Sequence, residues 1–416
     1  MTQWSDYSTG ERIKILRGRE IKQQDLAEMT GLSVVTIQKA EQDRALSLPT
    51  LLKLAQALSV DTSIILGQQA PRRSFGPDDR VTLRQISTAV HDISAGYLPD
   101  TVEPIPLDEL ANTTQIAWTL YWSGKYQELG AILSPLVQDA AVTVAAAEGD
   151  QKRDALGLLS DAYQIAACAA NLLGARDLAY AAAGHARITA QQAEHPLRVA
   201  RVDSARSWIY LRDGRLADSV ALATRAAAAI EPSYSASSAE RLTVYGNLLT
   251  HCAVTSARRE DEDNAANFLS QVHAVGARLG AEYDFHGARF GPTTATTQAV
   301  GVNVSTGRTG KALKLIEAVS PDSLGGLAAA ARNRYKLDVA MAQADARMWD
   351  ASLDTLEDAI TSAPEWARHQ ALPRVIVERV GHASTSRLRR VSALLGAGPG
   401  GRGRGMFPPA TRATAL

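Results

Sequence analysis

The sequence predicts an all-α protein. Alanine is frequent and aromatic residues make up only 5% of the 416 residues, a composition that suits close-packed helices rather than sheets. Apolar residues recur at helical spacing along most of the chain up to about residue 395. A polar stretch, QQAPRRSFGPDD at residues 68–79, interrupts this pattern and divides the chain into two helical parts.

These observations predict four segments. They are an N-terminal domain at residues 1–67, a linker at 68–79, a helical body at 80–395 and a basic tail at 396–416. The chain is long enough for two or three domains. Its 44 basic and 44 acidic residues balance, so the net charge excludes no class of partner. What matters for a nucleic-acid partner is where the basic residues lie.

The N-terminal domain divides into five short helical segments. The segments run from Thr9 to Gly18 and from Gln23 to Thr30, and three more begin at Ser33, near Ser47 and at Asp61. Serine and aspartate at these starts can accept hydrogen bonds from the free amides of the first helical turn. The candidate core residues recur at helical spacing. They are Ile13, Leu16, Leu26, Ala27, Met29, Leu51, Leu54, Ala55, Leu58, Ile64 and Ile65.

The second and third segments form a distinctive pair. Gly31 separates them, and a residue without Cβ tolerates the positive φ of a sharp turn. Ser33 then begins the third helix. Two short helices joined in this way have the layout of a helix-turn-helix, whose second helix enters the major groove of DNA.

Residues 9–67 resemble the Xre/Cro-cI family of helix-turn-helix regulators. The resemblance rests on QQDLAEMTGLS, TIQKAEQ and SLPTLLKLAQALSV taken together. It implies a five-helix, lambda-repressor-like domain that binds double-stranded DNA as a homodimer. Two departures from the family pattern stand close to the third helix: Asp43 where a glycine is usual, and Ala40 where a large apolar residue is usual.

The resemblance also implies a role for each residue around the third helix. Gln23 would donate to a phosphate and brace the recognition helix, and Ser33 would cap it near a phosphate. Ile37 would be a core residue and Glu41 an internal polar brace. The positions that would face DNA are Val34, Val35 and Lys39 at base edges, Thr36 and Gln38 beside them, and Gln42 and Arg44 at phosphates.

Val34 and Val35 suggest how sequence could be read. Valine makes no hydrogen bond to a base, but it can pack against a thymine methyl group, while Lys39 could donate to guanine. The alternative for Val35 is a place in the core of the domain. We expect Lys39→Ala to relax sequence preference.

The body contains a recurring unit. An anchor residue is often followed by a small residue three positions later, by an apolar one ten later and by a closing proline, although after Tyr126 the third position is Leu129. The anchors are Tyr126, Leu178, Leu216, Glu262, Thr309 and Trp349, and for Leu178 the partners are Ala181, Ile188 and Pro196. Anchors spaced more widely than in tetratricopeptide repeats predict a tetratricopeptide-like α-solenoid of stacked helix pairs.

This two-part design resembles the peptide-responsive quorum-sensing regulators and many actinobacterial regulators. The resemblance implies that the body binds a signalling peptide or another small molecule, or serves dimerisation. The candidate ligand-binding residues are the asparagines Asn171, Asn247, Asn303 and Asn333 and the aromatic residues Trp208, Tyr210 and Tyr245. Ordinary packing within the repeats is the alternative for each of them. A second class of function is a protein-interaction scaffold or an antitoxin-like partner that uses the repeat groove.

The sequence gives no indication of catalysis. Zinc-ligand spacing, a phosphate loop and a nucleophile elbow are absent from the sequence, so we expect neither an enzyme nor a metal or cofactor. Cys168 and Cys252 are expected as reduced core thiols. We find no signal peptide and no apolar run near the ~20 residues of a membrane helix, which predicts a cytoplasmic protein. The arginine- and glycine-rich tail predicts either a solvated segment or a non-specific phosphate contact.

Overall fold

The structure of the chain is a computed structural model. It describes residues 4–18, 21–58, 60–68, 77–233, 237–381 and 386–395. Most of the predicted linker, residues 69–76, and the whole predicted tail lie outside the described residues. The N-terminal domain consists of α1 (Thr9–Arg17), α2 (Gln23–Thr30), α3 (Val34–Glu41), α4 (Leu48–Ala57) and α5 (Thr62–Ile65).

The five predicted segments of the N-terminal domain coincide with these helices. Their starts are fixed by side-chain caps: Ser33 accepts from the Thr36 amide at 3.1 Å, and Asp61 accepts from the Ser63 amide at 2.8 Å. The predicted core is largely confirmed by burial, with one exception. The Met29 side chain is 55% exposed, because it lies on the outer side of α2, away from Leu26 and Ala27.

The body is also helical. It contains α6 (Pro77–Ser94), α7 (Leu107–Ser123), α8 (Tyr126–Ala146), α9 (Gly149–Leu172), α10 (Arg176–Gln192), α11 (Pro196–Arg212), α12 (Leu216–Ala229), α13 (Ala239–Arg258), α14 (Glu262–Leu279), α15 (Pro292–Ser305), α16 (Thr309–Ala318), α17 (Ala329–Asp345), α18 (Trp349–Ser362), α19 (Pro364–Arg368), α20 (Leu372–Val380) and α21 (Ser386–Leu394). α6 begins inside the stretch predicted as linker.

The helices of the body pack in a regular order. From α7 to α18 each helix contacts the next one in sequence. The odd-numbered helices α7, α9, α11, α13, α15 and α17 also contact one another in turn, and α17 packs against α7. The odd-numbered helices therefore close into a ring, and the even-numbered helices cover its outside.

The recurring unit of the sequence marks the even-numbered helices. Tyr126, Leu216, Glu262, Thr309 and Trp349 are the first residues of α8, α12, α14, α16 and α18. The small residues three positions later are buried, as at Ser219, Ala265, Ala312 and Ser352. Small side chains at these positions let neighbouring helices approach closely.

The register predicted for α10 is wrong by two residues. The helix begins at Arg176 rather than at Leu178, and the fully buried small residue is Ala179 rather than Ala181. Ile188, predicted as an inward apolar residue, is 52% exposed. The buried residue at the equivalent position is Ala186.

A two-stranded hairpin departs from the all-helical pattern. β1 (Tyr283–Phe285) pairs antiparallel with β2 (Ala288–Phe290) between α14 and α15. His286 and Gly287 form the turn and both have positive φ, which suits a two-residue hairpin. At Gly287 a Cβ would lie 2.3 Å from the Trp118 ring, so only glycine lets the turn approach α7 this closely.

The N-terminal domain packs directly on the body. Thr9 donates to Glu378 on α20 at 2.8 Å, Lys53 pairs with Glu260 at 2.9 Å, and Asp61 pairs with Arg176 at the start of α10. One cluster of buried apolar residues contains members of both parts, and further clusters lie within the body. The two parts therefore make contact through polar and apolar groups alike.

Helix α8 bears on the expectation that the chain contains no segment able to span a membrane. Its 21 residues are long and apolar enough to cross a membrane by length and composition alone, contrary to the expectation that no apolar run approaches this length. Half of that segment is buried inside the protein, where α8 packs against α6, α7 and α9. A helix buried in the core of a protein can have the same length and apolar composition as a membrane-spanning helix.

Candidate nucleic-acid interface and inner cavity

The recognition helix α3 is positioned by the turn that precedes it. Gly31 has φ 63° and its amide donates back to α2, which ends that helix. Ser33 caps the start of α3, and its hydroxyl also lies 2.9 Å from the Thr36 hydroxyl. Ile37 and Ala40 are fully buried and fix one face of α3 in the core. The opposite face is left for solvent.

A buried carboxylate braces α3 from behind. Glu41 Oε1 accepts from Arg17 Nε on α1 at 2.6 Å, and Glu41 Oε2 accepts from Gln23 Nε2 on α2 at 2.7 Å. One carboxylate thus ties three helices together, and its charge is compensated by Arg17. Gln23 is half-buried and serves this brace with its amide group; its contact with a phosphate remains a prediction.

The predicted DNA-contacting residues come together on one side of the domain. Ser33, Val35, Gln38, Lys39, Gln42 and Arg44 are exposed, and Val34 and Thr36 are half-buried. Val35 is 56% exposed, so its side chain is not a core residue. The exposed residues of α3, Val35, Gln38 and Lys39, are named the reading face below. Their contacts with DNA are predictions.

Asp43 stands where the family usually has a glycine, and its conformation explains how aspartate fits there. It takes the left-handed conformation, φ 60°, that a glycine would adopt there. Its Oδ1 accepts from the Gly10 amide at 2.6 Å at the start of α1. The residue therefore closes α3 despite its Cβ, and its carboxylate is bonded to α1. Asparagine and aspartate tolerate this conformation better than most residues.

The second candidate site is a cavity of about 340 Å³ enclosed by the helix ring. Residues from all six odd-numbered helices line it, together with the β1–β2 hairpin and α19. Four tryptophans contribute to its wall: Trp118, Trp122, Trp208 and Trp366. We name this space the inner cavity. Its size and apolar wall fall within the range of small-molecule sites.

The hairpin turn is anchored to the ring beside the inner cavity. Asp161 on α9 accepts hydrogen bonds from Arg201 and Arg198, and the His286 ring lies 3.0 Å from it. Arg201 also donates to the His286 carbonyl, and Trp122 donates to the Gly287 carbonyl at 3.1 Å. Although burial alone would raise it, the two arginines hold the pKa of Asp161 well below its usual value.

The inner cavity carries an excess of positive charge. Five arginines line it, Arg201, Arg212, Arg258, Arg289 and Arg334, against the three carboxylates of Glu282, Asp284 and Asp338. His251 also lines it, and burial lowers the pKa of this imidazole to about 4. The imidazole is therefore neutral near pH 7 and leaves the excess to the arginines.

The predicted ligand-binding residues divide between the inner cavity and other places. Asn171, Asn247 and Trp208 line the inner cavity. Asn303 is buried and donates to the Ala299 carbonyl of its own helix at 2.7 Å. Asn333 accepts from Ser362 on α18 at 3.0 Å. Tyr210 stacks near Tyr180 and Arg215 instead. Tyr245 packs in the core beside the hairpin.

Sequence reasoning missed the arginines and most of the aromatic residues of the inner cavity. Arg258 ends α13, Arg212 ends α11, and Trp118 and Trp122 lie one turn apart near the end of α7. The one feature of the sequence that could have indicated these residues is that each lies on the helix before an anchor residue. That feature does not show which face of the helix points into the ring.

Side chains of the types that bind metals occur close together in sequence between residues 251 and 286, but they do not form a metal site. His251 lies 3.1 Å from the Ser204 carbonyl, Asp284 pairs with Arg289 at 2.8 Å, and His286 contacts Asp161. Among the residues that the structure describes, no three His, Cys, Asp or Glu side chains form a group that could hold a metal ion. Cys168 and Cys252 lie on α9 and α13 and are not bonded to each other.

Comparison with known proteins identifies the N-terminal domain only. A helix-turn-helix family model matches residues 13–65, which supports the Xre/Cro-cI resemblance for this part of the chain. No curated protein and no solved structure matches the chain. The chain therefore carries a DNA-binding domain of the helix-turn-helix type at its N-terminus, a domain typical of transcriptional regulators.

Proposed function

We propose that the chain is a sequence-specific transcriptional regulator that binds operator DNA as a homodimer. The observation that supports this most directly is the exposed reading face. Val35, Gln38 and Lys39 point away from the core of the domain, while Glu41 and Ile37 hold the same helix from behind. A helix held in this way can enter the major groove without rearranging its own domain.

Each exposed group has a chemical role in this proposal. Val35 packs on a thymine methyl group and Lys39 donates to guanine O6 or N7. Ser33, Gln42 and Arg44 contact phosphates on either side, as does the free hydrogen of the Gln23 amide. Phosphate contacts set the register of the protein on the duplex, and base contacts set the sequence.

A dimer doubles the sequence that is read. A single reading face covers few bases, so two faces related by a twofold axis would bind inverted half-sites ~34–36 Å apart. We propose that the helical body, as a tetratricopeptide-like solenoid, supplies the dimer contact and senses a small signal. The site of action is then the cytoplasm, where the DNA is.

Sensing requires a difference between two states of the dimer. A ligand shifts the equilibrium only if it binds one arrangement of the two domains better than the other. A contact path supports such coupling here: Asn171, on the wall of the inner cavity, bonds Arg176, and Arg176 pairs with Asp61 of the N-terminal domain. A change at the cavity wall can therefore alter how the DNA-binding domain is held.

Mapping of bound DNA across the genome, followed by footprinting of the strongest site, tests this function. We expect an inverted repeat with the half-site spacing given above, and a protected region at a promoter. The matched control is the double variant Val35→Ser, Lys39→Ala, which removes the reading face but keeps Ile37 and Glu41.

Two outcomes would contradict the proposal. One is identical genome-wide binding by the wild type and the double variant. The other is the absence of specific sites combined with recovery of one stoichiometric protein partner, which would favour an interaction scaffold. Sedimentation of the protein alone and on a two-half-site duplex tests the homodimer separately.

A further inference from the structure

Arg258 is a buried cation on the wall of the inner cavity. Its side chain is 9% exposed, and in the described part of the chain no carboxylate forms an ion pair with it. Its Nε atom has no hydrogen-bond partner there. Its one close contact of note is the Trp208 ring, whose centroid lies 5.6 Å from the guanidinium carbon.

The charges around Arg258 compensate it only in part. Asp338 is the nearby carboxylate, but both its oxygens accept from Arg334, at 3.0 and 3.2 Å. Burial, together with the like charges of Arg334 and Arg212, lowers the pKa of Arg258 to about 9. A buried charge without a partner is costly to a fold. At a cavity wall, the missing partner of such a charge can be a bound ligand.

The unsatisfied polar atoms of the inner cavity are mostly donors. Four buried N–H groups on its wall lack an acceptor among the described residues: Trp118 Nε1, Arg201 Nε, Arg258 Nε and Arg289 Nε. Among the described residues, the one unsatisfied buried acceptor on the wall is Gln164 Oε1. These Nε and Oε1 atoms have almost no accessible surface, so the preference of the cavity for a ligand with acceptors rests on the excess of guanidinium groups along its wall.

Part of the wall is aromatic. Trp122 and Trp208 are half-buried and present aromatic surface, whereas Trp118 is only 2% exposed, and Tyr121 packs edge-on against Trp118 and Trp122. Such surface suits an aromatic ring, which prefers stacked or edge-to-face neighbours. The volume of about 340 Å³ is near the lower limit for small-molecule sites, so it suits a compact ligand.

We propose that the inner cavity binds a small aromatic carboxylate, with the carboxylate on Arg258 and the ring beside Trp122 and Trp208. This deepens the proposed function, because it names the chemical class of the signal. The carboxylate supplies the missing acceptor and the missing negative charge in one group, and charged hydrogen bonds of this kind are strong. Arg212 and Arg334 add to the positive potential of the same wall.

Calorimetric titration of the full-length protein tests the proposal. The probes are 2-naphthoate and its neutral isostere 2-naphthamide. We expect one naphthoate per chain and binding roughly tenfold to a hundredfold tighter than for naphthamide. Arg258→Met, which keeps the stem but not the charge, should abolish this preference. The control Arg259→Met alters the next residue, which is exposed, and should retain it.

Ligand-free protein provides a second measurement. Because Arg258 has no internal partner, Arg258→Met should unfold at a higher temperature than the wild type, whereas Arg259→Met should not change. A lower melting temperature for Arg258→Met would mean that the guanidinium is bonded inside the protein, and would overturn the proposal.

Absence of naphthoate binding at millimolar concentration, or equal binding of both probes, would also overturn it. Operator binding by the same preparations separates this result from the regulatory function. If the protein binds its operator but not naphthoate, the proposed ligand class is wrong and the regulatory function stands. If it binds naphthoate through Arg258 but no specific DNA, the ligand site stands and the regulatory function is wrong.

Discussion

Asp61 of the N-terminal domain and Arg176 of the helical body form an ion pair that joins the two parts of the chain. Both residues also have a local role. Asp61 caps α5 through the Ser63 amide, and Arg176 is the first residue of α10 and bonds Asn171. Both side chains are largely buried, so the pair is shielded from solvent. Helix capping had already singled out Asp61 in the sequence, whereas Arg176 was missed because the register predicted for α10 was wrong by two residues.

Asp61→Asn should weaken this junction without removing the cap. Asparagine caps helices as well as aspartate does, so α5 should persist. The loss of the charge removes the closer of the two carboxylates that pair with Arg176, and we expect a decrease of about 1–3 kcal/mol in the free energy of unfolding at pH 7. Urea denaturation followed by circular dichroism measures this. Asp263→Asn, at an exposed residue of α14, is the control and should change little.

The same pair predicts a pH dependence. Burial alone would raise the pKa of Asp61, but the charges of Arg212 and Arg176 hold it below the value usual for aspartate. The stabilisation by this carboxylate is therefore complete above its unfolded pKa of about 3.9 and is lost as the pH falls through the lower folded pKa. The stability difference between wild type and Asp61→Asn should shrink towards pH 3. A constant difference from pH 7 to pH 3 would contradict the assignment.

Glu41 should be the most sensitive polar residue of the N-terminal domain. Glu41→Ala removes the side-chain acceptor for both Arg17 and Gln23 and leaves a partly buried guanidinium without its carboxylate. Breaking a buried ion pair in this way costs about 3–5 kcal/mol. We expect loss of the folded domain at moderate temperature, measured by thermal denaturation. Glu28→Ala, on the exposed side of α2, should leave the melting temperature nearly unchanged.

Three substitutions at Asp43 separate its backbone conformation from its hydrogen bond. Asp43→Asn keeps the acceptor for Gly10 and tolerates φ 60°, so it should be close to neutral. Asp43→Gly removes the acceptor but relieves the left-handed strain, whereas Asp43→Ala loses both advantages. The order of stability should be Asn, then Gly, then Ala, with about 1–2 kcal/mol separating the first from the last. If the alanine variant were at least as stable as the glycine variant, the left-handed backbone conformation would not determine the stability at this position.

The N-terminal domain could be predicted closely because its signals are local. Ser33, Ser47 and Asp61 cap helices within three residues, and Gly31 is needed where it stands. The faces of the body helices could not be predicted in the same way. Asn171 lines the inner cavity while Asn303, on a helix of the same ring, does not, because packing between helices rather than spacing along the chain sets which face of each helix turns inward.

Local signals also failed where they were too short or ambiguous. The strands at Tyr283–Phe285 and Ala288–Phe290 have three residues each, which is too few for an alternating pattern to stand out. In α10, alanines at both 179 and 181 fit a small-residue position, so spacing alone did not fix the register. Burial of Ala179 decides between them.

Lys39 and Arg44 should differ in what they contribute to DNA binding. Lys39→Ala should reduce discrimination at one base pair by about 1 kcal/mol, because a single ammonium donates to one base edge. Arg44→Ala should weaken binding to all sequences alike and lower the slope of log K against log salt concentration by about 1. Fluorescence anisotropy with the mapped operator and its single-base variants, at several salt concentrations, measures both effects.

Lys314→Ala is the control for this pair, since it removes an exposed lysine from α16 in the body. It should change neither the ranking of the operator variants nor the salt slope. If Lys39→Ala preserves the ranking while lowering the slope, then Lys39 contacts phosphate rather than a base. In that case Val35 and Gln38 alone would carry the sequence preference of the reading face.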